Sequence, residues 1–128
     1  MLALSPTDVA VFKRALCAIS PLSEADLAEA LALARPRELR PRQYLLRAGE
    51  LATEVAVVVH GLMREHFVMS DGTERTKAFV PEGHPTGSLA DVLSAVPSRA
   101  FIVAEEPTRV LEARGRDLRH RAEAAERH

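Results

Sequence analysis

The pattern of this chain changes period near residue 37, and that change limits it to a helical opening followed by a β-rich body. Beyond that point short apolar or β-branched runs follow one another: Leu39, then 44–47, 55–60, 62–69, 73–80, 99–104 and 108–113. Gly49, Gly61, Gly72 and Gly83 fall where these runs reverse, and Ser70-Asp71-Gly72 is a strong hairpin signal. Turn signals spaced by about 8–12 residues predict a small antiparallel barrel or sandwich.

Two helices precede it. Ser5-Pro6-Thr7-Asp8 reads as an N-cap, a proline at the first helical position and an acidic first turn, with Val9, Phe12, Leu16 and Ile19 at helical spacing. Ser23 is a second cap, with Asp26 three residues on, and Leu27, Ala30, Leu31 and Ala34 form the expected buried stripe. Pro36 should end that helix, because it lacks a donor and crowds the preceding turn. Between Gly87 and Pro97 the pattern turns helical again, with Leu89, Val92 and Leu93 on one side. The charged tail 116–128 holds a narrow seam of Leu118, Ala122 and Ala125. The reading is α+β, mainly β: a helical segment over 1–36, a barrel over 37–114 with one short helix at 88–95, and a terminal helix beginning at 115.

A length of 128 residues allows one domain, and 47% hydrophobic with 27% charged residues is the composition of a globule. A net charge of -1 argues against a whole-surface grip on nucleic acid or anionic lipid. A single cysteine, Cys17, excludes an intrachain disulfide and a four-thiolate metal site. The N-terminus lacks the pattern of a secretion signal, and no apolar run approaches the ~20 residues needed to span a bilayer. The expectation is a cytoplasmic protein with no membrane partner.

The order of Leu45-Leu46-Arg47-Ala48-Gly49-Glu50, Val57-Val58-Val59-His60-Gly61 and Ser70-Asp71-Gly72 continues through two further segments. These are Gly83-His84-Pro85-Thr86-Gly87-Ser88-Leu89-Ala90 and Pro97-Ser98-Arg99-Ala100-Phe101-Ile102-Val103-Ala104. In this combination the chain resembles the effector-binding domain of the Crp/Fnr (catabolite activator) superfamily, the cyclic-nucleotide-binding fold. The resemblance implies an antiparallel double-stranded β-helix, or jelly-roll barrel, flanked by N-terminal helices and a C-terminal helix. It implies an effector-sensing domain of a transcription regulator, acting by ligand-linked repositioning of the terminal helix. It also implies a homodimer through that helix, at Leu118, Ala122 and Ala125, and DNA contact only through a domain that these residues do not encode. A stand-alone barrel working through protein contacts is the alternative.

Against that family the phosphate cassette is altered. Nucleotide-binding relatives place a glutamate after the first glycine, to accept from the ribose, and an arginine at the second half, to pair with phosphate. Here the first half reads Gly87, Ser88, Leu89, Ala90 and the second Ser98, Arg99, Ala100, so both grips are replaced by serine and Arg99 falls one residue late. If the second half were extended, Arg99 would point away from the side shared by Ser98, Ala100 and Ile102; the alternative is that it reaches back, since alternation is loosest at a strand start. Losing both charge-assisted grips costs about 3–6 kcal/mol, so cyclic AMP and cyclic GMP are expected to bind weakly or not at all. The remaining pocket either takes a different small-molecule effector, an anion or a more apolar one, or is packed shut.

Nothing in the sequence supports an enzyme. A cupin-like metal barrel is a distant rival, but no His-x-His motif occurs among His60, His66 and His84, and no metal ligand or cofactor is expected. No Gly-x-Ser-x-Gly elbow is present, so no catalytic residue is assigned. Cys17 reads as an apolar-face helix residue, the histidines as surface residues, and Glu105-Glu106 as a solvated turn.

Overall fold

A computed structural model describes residues 4–19, 23–87 and 95–114. Helices α1 (Pro6–Ile19) and α2 (Glu24–Leu33) lead into strands β1 (Arg35–Leu39), β2 (Tyr44–Leu46), β3 (Glu54–His60), β4 (Leu62–Val68), β5 (Glu74–Pro81), β6 (Pro85–Thr86), β7 (Phe101–Ala104) and β8 (Thr108–Arg114). They form two antiparallel four-stranded sheets, ordered β1-β8-β3-β6 and β2-β7-β4-β5. The architecture is mainly β with two N-terminal helices, as the turn spacing and the two helix caps lead one to expect.

Alternation along β3 builds both halves of the core. Ala56 and Val58 face the opposite sheet and pack with Leu39, Met63, Val80, Ile102, Ala104 and Val110. Val57 and Val59 face outward, where Leu111 joins them under Val11, Phe12 and Ala15 of α1. The sheets therefore enclose one apolar interior, and α1 closes the outer face of one of them.

Both helix starts form as their sequences require. The amide of Ser5 donates to Asp8 Oδ2 at 2.8 Å while the Asp8 amide donates to Ser5 Oγ at 3.1 Å, a reciprocal cap. Ser23 Oγ accepts from the Asp26 amide at 3.1 Å. The buried stripe of α1 is rotated from the expected one: Asp8, Val11, Phe12 and Ala15 are buried, whereas Val9 and Leu16 are half-buried. The cause is Asp8, whose carboxylate is drawn inward by Arg109 of β8 and turns the helix with it. Cys17 is exposed for the same reason, correcting its expected place on the apolar face. In α2 no residue is fully buried, and Ala30, Leu31 and Ala34 pack only partly against the α1 cluster.

Strand β1 opens at Arg35, ahead of the expected residue 37, and carries Pro36 opposite Leu111. Proline is tolerated there because β1 is an edge strand with one side unpaired. The two-residue β6, which no pattern in the sequence announces, pairs Thr86 with Ala56 and Pro85 with Val57. His66 is buried rather than on the surface, with its ring stacked on Phe101 at 5.1 Å and Nε2 3.3 Å from Glu74 Oε1. His60 and His84 are exposed. Glu105 is also more than a solvated residue, since Arg64 Nε donates to it while Nη2 donates to Glu74.

Candidate ligand-binding site

At one end of the barrel the alternation that fills the interior with apolar side chains delivers charge instead. Glu54 is in phase with Ala56 and Val58 on β3, Glu112 with Val110 on β8, and Arg37 with Leu39 on β1. Arg37 Nη1 lies 3.6 Å from Glu112 Oε2, too long for a hydrogen bond, and that buried oxygen has no hydrogen-bond partner. Burial, and then the neighbouring Glu54 carboxyl, push Glu112 up to about 7 against the smaller pull of Arg37. A cavity of about 150 Å³ opens beside this row, lined by Arg37, Leu45, Leu46, Thr53, Glu54, Thr86, Gly87 and Ile102.

Gly87 begins the first half of the cassette. Its φ of +90° is a conformation that disfavours any side chain, and it follows directly on the β6–β3 pairing. Glu65 of β4 shares the inward phase of Met63 and reaches this point. Its Oε2 accepts from the Thr86 hydroxyl at 2.7 Å and from the Gly87 amide at 3.4 Å. The leading amide of the cassette thus already faces a carboxylate of the chain itself.

The second half is held by different means. Ser98 is buried, and its hydroxyl donates to the Ala100 carbonyl at 2.8 Å while accepting from the Ala100 amide at 3.1 Å. Its backbone is tied to the 49–50 turn, with Gly49 N–H donating to Ser98 O and Ser98 N–H to Glu50 O. A hydroxyl that captures a nearby peptide group competes with the sheet ladder. That is why β7 begins at Phe101 and not at the expected residue 99. Arg99 therefore stands outside the strand and escapes its alternation. It does not turn away from Ser98 and Ala100: all three line a second cavity, of about 230 Å³, with Phe67, Lys77, Val96 and Pro97.

The structure thus places Gly87 at one cavity and Ser98, Arg99 and Ala100 at the other. Ser88, Leu89 and Ala90 lie outside the described residues, as do Leu118, Ala122 and Ala125 and most of the expected 88–95 helix. Arg37, Glu54, Glu65, Lys77 and Glu112 were not singled out in the sequence. A signal existed for Glu54, a charge in phase with the inward Ala56 and Val58. Among the described residues no group of three His, Cys, Asp or Glu side chains could hold a metal ion. No helix among them is long and apolar enough to cross a membrane.

The sequence model of the Cyclic nucleotide-binding domain family matches residues 36–124, more than half of the chain. The chain belongs to that family. Solved structures agree on the fold of this cyclic nucleotide-binding domain. The regulatory domain of Toxoplasma gondii PKA, crystallised with cAMP, superposes with a TM-score of 0.81 at 20% identity, over 92% of this chain and 46% of that one. The sensor domain of the transcriptional regulator DNR from Pseudomonas aeruginosa gives 0.76 at 20% identity, over 90% of this chain and 79% of that one. The catabolite activator protein of Thermus thermophilus gives 0.71 at 24% identity, over 78% and 46%. The domain spans about half the length of several such chains, 47% and 50% of two others. A comparison with curated proteins finds no match. Members of this family are typically regulatory domains without catalytic activity.

Proposed function

We propose that this cyclic nucleotide-binding domain is the effector-sensing part of a cytoplasmic Crp/Fnr-type transcription regulator whose cassette no longer holds cyclic AMP or cyclic GMP firmly. The observation that carries the reading is the state of Ser98. Where relatives present an arginine to the cyclic phosphate, this chain presents a hydroxyl engaged on both sides by the Ala100 backbone. The carboxylate of Glu65 beside the Gly87 amide adds repulsion for a phosphate at the other half. The domain is read as a binding module and not an enzyme, with a small-molecule effector as its partner. Effector binding favours one position of the terminal helix, where Leu118, Ala122 and Ala125 supply a homodimer seam, and a further domain would contact DNA.

Calorimetric titration with cyclic AMP and cyclic GMP tests this. Saturable binding is expected to be absent below about 100 µM ligand, consistent with the loss of two charge-assisted grips. Low-micromolar binding of either nucleotide overturns the reading.

A further inference from the structure

The cavity beside Ser98 has a cationic wall that the cassette pattern does not account for. Arg99 and Lys77 both line it, and no carboxylate does so among the described residues. Arg99 carries no ion-pair partner among those residues, and Lys77 Nζ meets Glu65 Oε1 only at 4.0 Å. Glu65 is itself engaged by the Thr86 hydroxyl through its other oxygen.

Lys77 reaches this wall because of a backbone irregularity. The β4–β5 ladder slips between Glu65, which pairs with Ala78, and His66, which pairs with Thr76. Lys77 is the extra residue. A bulge of this kind re-aims one side chain and is common beside functional sites. Here it brings the ammonium within 6.0 Å of the Phe67 ring centre, and Phe67 forms an apolar wall of the same cavity. Half-exposed Val96 stands at the rim. The cavity therefore combines two cations, one aromatic face and an apolar edge.

We propose that Lys77, Arg99 and Phe67 form an effector subsite for a small oxyanion carrying a planar ring, either an aromatic carboxylate or an aromatic phosphate. Arg99 supplies a forked donor to the anionic group, Lys77 a second charge, and Phe67 the surface on which the ring stacks. The proposal rests on the reading of the barrel as an effector pocket and names the chemical class of that effector.

The probes are benzoate, phenyl phosphate and inorganic phosphate, titrated into the full chain by calorimetry, with chemical-shift mapping in parallel. At least one ring-bearing probe is expected to saturate at millimolar concentration or below, and the stronger of the two assigns carboxylate or phosphate. Lys77→Gln and Arg99→Gln should each weaken it roughly tenfold, the loss of one charge-assisted contact. Phe67→Leu should weaken the ring-bearing probe while leaving any inorganic phosphate binding unchanged. Both cations are exposed, so their variants should keep the wild-type circular dichroism spectrum. Failure of both ring-bearing probes to saturate at about 10 mM, or binding by K77Q and R99Q as tight as that of the parent chain, overturns the subsite. A parallel titration with cyclic AMP keeps the two readings apart. Tight nucleotide binding sinks the altered-cassette reading, whereas absent probe binding sinks the subsite alone.

Discussion

Gly61 shows how little room a single position leaves. It joins β3 to β4 at a φ of +103°, and a Cβ there would sit 2.5 Å from Thr108 Oγ1 and 2.6 Å from the Pro107 carbonyl oxygen. Backbone cannot retreat as a flexible side chain can. The Thr108 hydroxyl also accepts from the Leu62 amide and donates to the Glu106 carbonyl, so displacing it breaks contacts in both connecting turns. Gly61→Ala is expected to destabilise by roughly 2–3 kcal/mol, lowering Tm on the order of 10 °C in a thermal melt. Gly72, with nothing within 4 Å of the same virtual atom, should cost less on substitution, since only its positive φ stands in the way.

Between elements, the contact that decides orientation is the one from α1 to β8. Asp8 is 1% exposed and receives two hydrogen bonds from the Arg109 guanidinium, at 2.9 and 2.7 Å. That guanidinium, with Ser5 behind it and against the cost of burial, pulls the Asp8 carboxyl down to about 2. Because the folded value lies below the unfolded 3.8, the contribution is full above about pH 4 and is lost as pH falls towards 2. Asp8→Asn should remove roughly 2 kcal/mol at pH 7 in urea unfolding and flatten the acid side of the stability profile. The same pair marks the limit of what the sequence makes legible. The strand runs were readable because alternation and turn glycines are local signals, and their ends fall within a residue or two. The rotated face of α1 was not, because Asp8 gives no sign that its partner lies a hundred residues away. Ser98 is similar: its residue type was read correctly, but whether its hydroxyl faces a ligand or the Ala100 backbone depends on a bend that no periodicity encodes. Lys77 is not legible in the sequence because a bulge changes phase without changing composition.

At the scale of the whole barrel, the buried Asp8 and the half-buried Glu112 act in opposite directions along the pH axis. Burial and Glu54 raise Glu112 from 4.5 to about 7, so the folded state holds its proton more tightly than the unfolded one. Stability from this group is full below about pH 4.5 and declines as pH rises through 7. Together, the contributions of Asp8 and Glu112 are greatest near pH 4–5. Glu112→Gln should remove the decline between pH 5 and 8, leaving the variant more stable than the parent at pH 8 by on the order of 1–3 kcal/mol. Urea denaturation at several pH values reads both limbs, and a parent profile that is flat from pH 5 to 8 would show that Glu112 ionises normally.

Strand β3 carries Thr86 opposite Ala56 along one edge and Arg114 opposite Glu54 along the other. The start of the cassette and the last described residue before the tail are thus hinged on opposite sides of a single ribbon, two positions apart. The first described residue of the cassette and the end of β8 therefore flank the backbone of one strand. On the proposed mechanism, a shift at Gly87 has one strand to cross before it meets the chain that leads into the tail.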